Sequence, residues 1–498
     1  MRMPVAPYSR WAALTGRPYV GLGVVLVLAA LLLLPLAYNG FPLLFSDSGE
    51  YYLNAAKCRV PAYRTIIYSL WLAATWPDAL FLTNVVGRLT QRWPWELHPP
   101  SLLAGVVAQA LLLAALLWQV VRTLAPAAAW RRLVGGALLL LVGTAAPWVT
   151  SQLMPDVFAP ITVLALYLAV TQWTSMTRTG RLIVTVALVV GVGTHVTHAL
   201  VAAALLLAFL VVAARPHGCV RARGLWRGAG AVALGVSLLL GINYRLTGTL
   251  FLSRNGHVFL LGHLVEAGLA QRLLHDECAS ARYVLCDFQD ALVPDVEWFL
   301  WNTDSPFRKL GGWRWQESKS EATRLLLGTL RAYPGAHLVT AVRYTARQLV
   351  AIWTLDGLES YLSKPYVNDT LRQLRPDLYP RFRAARQQRG TLHADALATV
   401  HQVIAGSAAL ASLWLLGVAW RGRSSRALDP CVGLHVTVWV ALVCNAALCG
   451  NLSGVFDRYQ ARLVWLLPLA VMMSVARQRR WGRTESCRSG EGARVTAR

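Results

Sequence analysis

The sequence predicts an all-α polytopic membrane protein with about ten transmembrane helices. Of its 498 residues, 56% are hydrophobic, the mean hydropathy is +0.45, and the apolar residues fall in blocks separated by short polar segments. A helical block of this length crosses a hydrocarbon layer roughly 30 Å thick. The blocks lie at 19–38, 101–121, 133–152, 156–173, 181–196, 199–214, 229–243, 399–420, 431–450 and 463–476.

The charge distribution orients these spans. The net charge is +24, yet the basic residues lie in short segments between apolar blocks and form no zinc-finger or RNP-like pattern, so nucleic acid is not an expected partner. The positive-inside rule explains them better and predicts that both termini are cytoplasmic. The basic clusters are Arg131 and Arg132, 221–227, 421–426 and 477–483.

The first apolar block predicts a retained helix. It is long for the apolar region of a signal peptide, and the following segment from Leu36 to Gly40 has no small-x-small cleavage site. The chain has four lysines against many arginines, a bias typical of GC-rich bacterial genomes. We therefore expect a multi-pass protein of the bacterial inner (plasma) membrane.

Four regions follow from this topology. Residues 1–243 form an N-terminal transmembrane module whose first outer loop, 39–100, contains an interfacial helix at 66–76 with Tyr68, Trp71 and Trp76 at headgroup level. Residues 244–398 form a small, mostly helical extracytoplasmic subdomain or cap. Residues 399–480 return to the membrane, and 481–498 form a disordered basic cytoplasmic tail.

Within the cap, the periodicity predicts helices at 262–274 and 321–333 and an interfacial helix at 343–355. Turn signals occur at 305–307 and 311–313. Of the eight cysteines, Cys278 and Cys286 lie in this outer segment, where an oxidising compartment permits a disulfide; two unpaired thiols are the alternative. The cysteines form no metal-binding pattern.

The first candidate site is an acidic pair in the first outer loop. Asp47 and Glu50 are three residues apart in Phe45-Ser-Asp-Ser-Gly-Glu-Tyr, so both carboxylates lie on one side of a helical turn. A general base must lie within hydrogen-bond reach of its hydroxyl, and a second acid can orient it or hold a cation. The alternative is a capping box, in which the two acids only begin a helix.

Three further polar groups fall on the same predicted membrane face. Asp156 begins a span, where an acid is costly unless it is paired or is an N-cap. His195 and His198 have the spacing of one helix face, suited to a metal or a phosphate, although two structural histidines are an equal alternative. Arg254 and His257 begin the large outer segment.

The last group lies where the chain begins its final span. Arg458 and Arg462 are four residues apart, next to Tyr459, so both guanidinium groups share one helix face. Two such forks suit a phosphate or pyrophosphate at headgroup depth. The alternative is interfacial anchoring by snorkelling side chains.

Together these motifs resemble those of the GT-C glycosyltransferases, in particular the branch of protein O-mannosyltransferases, aminoarabinose transferases and RgtA-like enzymes. The residues that carry the resemblance are 45–51, 61–68, 154–156 and 457–459, within an outline of spans and outer loops that covers most of the chain. The resemblance implies an inverting transfer, at the extracytoplasmic face, of a sugar from a polyprenyl-phosphate donor to a lipid, glycan or protein acceptor. Membrane lipids are the surrounding partners.

The resemblance also implies roles for single residues. Asp47 is the expected catalytic base, with Glu50 or Asp156 as its partner, while Arg458, Arg462, Tyr459 and Arg64 bind the donor phosphate. His195, His198, Arg254 and His257 support the site. Asp47 and Glu50 are not adjacent as they are in many relatives, so a divalent cation held by Asp47, Glu50 or Asp156 stays an open option. No nucleotide-binding fingerprint is present, and no nucleotide cofactor is expected.

Other functions are possible for such a chain. A lipid or solute transporter would have inverted repeats and polar groups near the midplane, whereas the charges here gather at one face. An O-antigen ligase or acyltransferase would also use a large outer loop with Arg and His. An assembly scaffold would leave the convergence of acids and arginines unexplained. Trp301, Trp313 and Trp315 are candidates for stacking on sugars or for anchoring at the bilayer surface.

Overall fold

The computed structural model describes residues 18–75, 99–125, 130–214, 221–421 and 429–478. Within these ranges the protein is all-α, and its one isolated β-bridge pairs Leu43 with Gln152. The predicted tail 481–498, Trp76, Cys219, Cys487, and most of the basic clusters 421–426 and 477–483 lie outside the described residues.

The helices, in chain order, are α1 (Pro18–Leu32), α2 (Leu34–Asn39), α3 (Ser48–Lys57), α4 (Ile67–Ala74), α5 (Leu102–Leu124), α6 (Trp130–Val142), α7 (Ala146–Thr150), α8 (Phe158–Tyr167), α9 (Arg178–Thr194), α10 (Val196–Ala213), α11 (Ala222–Thr247), α12 (Gly256–Glu266), α13 (Leu269–Glu277), α14 (Val296–Trp301), α15 (Pro306–Lys309), α16 (Ser318–Ala332), α17 (Pro334–Val350), α18 (Pro365–Leu374), α19 (Tyr379–Ala384), α20 (Asp395–Arg421), α21 (Pro430–Leu452), α22 (Asp457–Val464) and α23 (Leu466–Gln478). A 3₁₀ turn at Pro155–Val157 precedes α8, and a π-helical segment at Leu168–Gln172 follows it.

Seven helical segments in the described chain are long and apolar enough to cross a membrane. The protein is therefore a multi-pass membrane protein. The seven segments are Leu102–Leu124, Pro155–Ser175, Val196–Ala213, Ala222–Thr247, Asp395–Arg421, Pro430–Leu452 and Asp457–Arg477.

The other three predicted windows also coincide with helices, but these helices are short or interrupted. The first window is divided between α1 and α2, and the third between α6 and α7. Pro35 and Pro147 each occupy the first turn of the new helix, a position that proline tolerates because it needs no backbone donor. The remaining window is α9, with 17 residues.

The membrane-spanning bundle is built around α8. Every residue of this helix is buried, as expected for a helix that is apolar on all sides. Other membrane-spanning helices have large apolar side chains that are exposed, among them Leu207, Leu410 and Trp414. Such a surface is unsuited to water and suited to lipid tails.

The helix α4 of the first outer loop is packed inside the protein rather than exposed at its surface. Tyr68 on α4 is fully buried, and its hydroxyl donates a hydrogen bond to Gln109 Oε1 of α5 at 3.2 Å. The predicted headgroup-level position of Tyr68 is therefore wrong. The reason is that α5 and α9 pack against α4 and remove it from the lipid interface. Trp71, which is partly buried, donates its indole N–H to the Gly105 carbonyl.

The cap has a hydrophobic core of its own, formed by residues of α12 to α16, such as Leu261, Phe299 and Leu325. A disulfide joins Cys278 to Cys286. The single helix predicted at 262–274 is instead divided into α12 and α13, because Gly268 adopts the left-handed conformation, with φ +73°. The predicted helix at 343–355 begins earlier, as α17, and its exposed face carries Leu338, Val339 and Val342.

The rest of the predicted outer segment belongs to the main body. Tyr361, Val367 and Phe382 are buried in the same core as the membrane helices. In particular, α18 lies directly against α3, so that a Cβ added to Gly49 would stand 2.0 Å from the carbonyl oxygen of Tyr366. Glycine is required at position 49 because the neighbouring atom belongs to the backbone of α18, which cannot move aside as a flexible side chain can.

We predict that Gly49→Ala lowers the free energy of unfolding by about 1–3 kcal/mol, the usual cost of overpacking. Thermal unfolding of the purified protein in detergent measures the change. Gly335→Ala is the matched control, since a Cβ on Gly335 of α17 meets nothing within 4 Å. Equal midpoints for the two variants would contradict the tight contact between α3 and α18.

Candidate functional site

The site begins at Asp47, which occupies the N-cap position of α3 without capping it. Its side chain makes no capping hydrogen bond. Instead, Asp47 Oδ2 accepts a hydrogen bond from Arg64 and lies 3.5 Å from Nη1 of Arg458. The capping-box alternative is therefore not what the structure contains, since this carboxylate pairs with two guanidinium groups.

A second contact fixes the loop that carries Asp47. The hydroxyl of Ser48 donates to the Leu153 carbonyl at 3.0 Å, and Leu43 exchanges two backbone hydrogen bonds with Ser151 and Leu153. These bonds attach the acidic loop to the segment that leads into Asp156. Two of the motifs that the sequence placed on one membrane face thus lie side by side.

Arg64 joins the two acids of the loop. It lies in the irregular segment between α3 and α4, where its Nε donates to Glu50 Oε2 at 3.3 Å while Nη1 donates to Asp47. The spacing-based expectation that Asp47 and Glu50 converge is confirmed by their shared partner. The guanidinium carbon of Arg64 lies 4.7 Å from the ring centre of Tyr63 and 5.1 Å from that of Tyr51.

Arg458 reaches the same carboxylate from the other end of the chain. Its backbone N–H, in the first turn of α22, donates to Asp356 Oδ2 at 3.0 Å. Its guanidinium group stacks on Phe45, with 3.9 Å between the guanidinium carbon and the ring centre, and donates to the Tyr459 hydroxyl. The Nε of Arg458 is buried and has no hydrogen-bond partner. Arg458 thus has donor capacity left for a ligand.

The two arginines decide the charge of Asp47. Burial acts to raise the pKa of this carboxyl, but the guanidinium groups of Arg64 and Arg458 outweigh burial, and the pKa lies below its ordinary value. Asp47 is therefore ionised over the physiological range. Its side chain keeps an exposed fraction of 12%, so the carboxylate is accessible rather than sealed.

Asp156 and Arg462 form a second, deeper ion pair. Nη1 of Arg462 lies 3.0 Å from Asp156 Oδ1, and the exposed fractions of the two side chains are 2% and 7%. Nη2 of Arg462 donates to Asn445 Oδ1 at 2.9 Å. Asp156 lies within the 3₁₀ turn and pairs with Arg462 rather than capping a helix. Of the two arginines expected to hold a phosphate, Arg462 is thus engaged by a carboxylate.

Tyr459 lies between the two arginines of α22. Its ring centre is 4.8 Å from the guanidinium carbon of Arg458 and 5.2 Å from that of Arg462. Such cation–π contacts orient a guanidinium plane without neutralising its charge. The expected grouping of Arg458, Tyr459 and Arg462 is present, and it connects the shallow ion-pair group to the deep one.

The two histidines have local partners. Nδ1 of His195 accepts from the Thr197 backbone N–H, which makes His195 the N-cap of α10. Nδ1 of His198 lies 3.1 Å from both the Gly191 carbonyl and the Thr194 hydroxyl. The Thr197 hydroxyl lies 2.8 Å from Nδ1 of His195 and 3.4 Å from Nη2 of Arg462, so it connects the histidines to the deep pair.

The structure does not bring Arg254 and His257 to the acidic loop. Nε2 of His257 lies 3.0 Å from the Ser318 hydroxyl, and the Arg254 guanidinium lies over the ring of Phe251. Neither side chain has a described contact with Asp47, Glu50, Arg64 or Arg458. Their supporting role stays a prediction.

Sequence reasoning missed two acids of this site. Glu297 of α14 faces the group from the cap: burial raises its pKa, and Arg458 and Asp47 both act on it. Asp356 fixes the backbone of Arg458 from the segment after α17. Neither residue lies in a recognisable motif, so only the packing of the cap and of this segment could reveal them.

The carboxylates of the site, Asp47, Glu50 and Asp156, are paired with guanidinium groups and are not arranged as ligands of a metal ion. Among the described residues, no three His, Cys, Asp or Glu side chains are grouped as metal ligands. Asp47 and Glu50 share Arg64, and Asp156 is held by Arg462. We therefore derive no step through a divalent cation.

Comparison of the chain with protein-family models, curated proteins and solved structures gives no match.

We predict that Asp156→Asn, which leaves the buried Arg462 charge without its counter-ion, lowers the free energy of unfolding by about 3–5 kcal/mol. The double variant Asp156→Asn/Arg462→Gln removes both charges and should recover at least half of that loss. Thermal unfolding of the single and double variants in detergent measures the coupling. Asp377→Asn, which breaks an exposed ion pair with Arg375, is the control and should change little. Additive losses would show that the two side chains do not act as a pair.

Proposed function

We propose that this protein is a GT-C-like membrane glycosyltransferase. It moves a sugar from a polyprenyl-phosphate-linked donor to a lipid, glycan or protein acceptor of the cell envelope, at the extracytoplasmic face. The observation that supports this most is the grouping of an accessible, ionised Asp47 with Arg64 and Arg458 beside the membrane-spanning helices. The Asp47 carboxylate offers a base, and the guanidinium groups of Arg64 and Arg458 offer a site for the phosphate of a lipid-linked substrate.

The transfer reaction needs a base for the acceptor hydroxyl and cations for the leaving phosphate, and Asp47, Arg64 and Arg458 supply them. Asp47 accepts the proton of the acceptor hydroxyl as that oxygen attacks C1 of the donor sugar. The C1–oxygen bond to phosphate breaks on the opposite face, its electron pair remains on the polyprenyl phosphate, and the anomeric configuration inverts. The guanidinium groups stabilise the negative charge that develops on this leaving group.

The donor also activates the base. Without a ligand, the Asp47 carboxylate is the partner of Arg64 and Arg458. A phosphate offers both guanidinium groups a stronger, bidentate partner, and the unpaired Nε of Arg458 is an additional donor. Once the arginines turn to the phosphate, Asp47 loses the charges that hold its pKa down. The carboxylate becomes a better base when the donor is bound.

The remaining residues keep the geometry. Arg462, held by Asp156, fixes α22 and thereby Arg458 and Tyr459, so that its role is positioning rather than contact with the donor. Glu50 orients Arg64. The Cys278–Cys286 disulfide supports an extracytoplasmic cap, because disulfides persist in oxidising compartments. Ten spans, cytoplasmic termini and the bacterial inner membrane complete the proposal, which includes no nucleotide cofactor.

We predict that Asp47→Asn reduces sugar transfer by a factor of about 10² or more, because the amide cannot accept the proton. The measurement is transfer of radiolabelled sugar from a panel of polyprenyl-phosphate sugars to an envelope extract by the purified protein. Asp377→Asn, a surface acid outside the site, is the matched control and should keep wild-type activity. A folded Asp47→Asn variant with full activity would remove Asp47 as the base. Absence of transfer by folded wild type from every donor would favour transport or another ligase chemistry.

We predict that kcat and kcat/KM of the transfer reaction fall at different pH values when the pH is lowered. The profile of kcat/KM reports the free protein, in which Asp47 titrates below its ordinary pKa of 3.8. The profile of kcat reports the donor complex, in which the arginines have left Asp47, so activity should fall at a higher pH than in the kcat/KM profile. Circular dichroism at each pH separates loss of activity from unfolding. A fall of both parameters at the same pH would contradict the exchange of partners.

A further inference from the structure

The cap contains a cavity of about 410 Å³ that opens to solvent and whose lining includes none of the residues of the Asp47 group. It is lined by Thr303, Arg308, Gly311, Gly312, Trp313 and Arg314. The size falls within the range of about 300–1,000 Å³ typical of small-molecule sites. Two of the six lining residues are cationic, and none is acidic. The lining is therefore suited to an anion.

Within the part of the chain that the structure describes, the guanidinium groups of Arg308 and Arg314 make no hydrogen bond and no ion pair. By contrast, the arginines of the candidate functional site are held by carboxylates or aromatic rings, as Arg64 is by Asp47 and Tyr63. Arg314 is exposed and Arg308 is half-buried, so both guanidinium groups are open to a ligand from solvent, and an oxyanion is the partner that such groups prefer.

The shape of the cavity depends on its two glycines. Gly311 and Gly312 have φ angles of +107° and +59°, a conformation that side-chain-bearing residues rarely adopt. A Cβ on Gly312 would also stand 3.4 Å from Nη1 of Arg308. The turn therefore leaves space directly beside a guanidinium group.

Trp313 connects this cavity to the candidate active site. Its ring stacks on the ring of Tyr63, with 4.3 Å between the ring centres. The guanidinium carbon of Arg64 lies 4.7 Å from the centre of the same Tyr63 ring. Trp301, which is 39% exposed, lies 5.8 Å from Tyr63. The anion cavity is thus separated from the Asp47 group by one stacked pair of rings.

We propose that the cap cavity binds a phosphorylated sugar of the acceptor, with Arg308 and Arg314 on the phosphate and Trp313 against the sugar ring. The assignment of this ligand to the acceptor rests on the proposed glycosyltransferase function. The phosphate follows from the two unpaired guanidinium groups. The sugar follows from a cavity much larger than a phosphate, with an indole in its wall.

The test is equilibrium dialysis of radiolabelled glucose 6-phosphate with the full-length protein in detergent. Wild type should bind it, and the double variant Arg308→Gln/Arg314→Gln should bind about tenfold more weakly or less. Arg331→Gln, an exposed arginine of α16 outside the cavity, is the matched control and should bind like wild type. Equal binding by wild type and the double variant would overturn the site.

Two competition arms test the nature of the ligand. Inorganic phosphate should compete more weakly than unlabelled glucose 6-phosphate, and equal competition would overturn the sugar part of the proposal. Phosphatidylglycerol vesicles should not displace the label, since displacement would assign the cavity to a lipid headgroup.

A third arm separates this inference from the proposed function. Asp47→Asn should bind glucose 6-phosphate like wild type, since Asp47 lies outside the cavity. Loss of binding in Asp47→Asn would place the ligand at the Asp47 group and overturn the cap site. A further outcome is loss of sugar transfer in Asp47→Asn together with equal glucose 6-phosphate binding by wild type and Arg308→Gln/Arg314→Gln. This outcome would overturn the cap site and leave the glycosyltransferase proposal intact.

Discussion

The ion pairing of Asp47 is the interaction on which the arrangement of the candidate site depends. A carboxylate at the end of apolar helices is costly unless counter-charges lie within a few ångströms. Arg64 comes from the same loop, whereas Arg458 comes from a position 411 residues away along the chain. The first loop, the last membrane segment and the segment that holds Arg458 through Asp356 must therefore meet at one point.

Aromatic rings complete this arrangement by fixing the planes of the guanidinium groups. Arg458 stacks on Phe45 and contacts Tyr459, while Arg64 lies over Tyr63. Rings hold an arginine in place and leave its N–H groups available for hydrogen bonds. The plane of each guanidinium group is thus kept, while its N–H groups can donate to a carboxylate or to another anion in turn.

The bilayer explains how much of the fold is predictable. Long apolar segments must form helices in lipid, so hydropathy located a helix at every predicted window. The spacing of Asp47 and Glu50 revealed their convergence, because a helical turn is a local property. Partners remote in sequence, such as Asp156 and Arg462, were predicted only to share a membrane face, since no local pattern encodes a tertiary contact. Tyr68 was misplaced for the same reason: its burial depends on helices that pack over it.

The distance along the chain between Asp47 and Arg458 also has a consequence for biosynthesis. Membrane proteins are inserted from the N-terminus as they are made, and of the two arginines that pair with Asp47 only Arg64 belongs to the same loop. Its second counter-ion arrives when α22, near the end of the chain, reaches the membrane. A chain that stops before Asp457 lacks this cation and the deep partner of Asp156. The charged centre is therefore complete only in chains synthesised beyond Arg462.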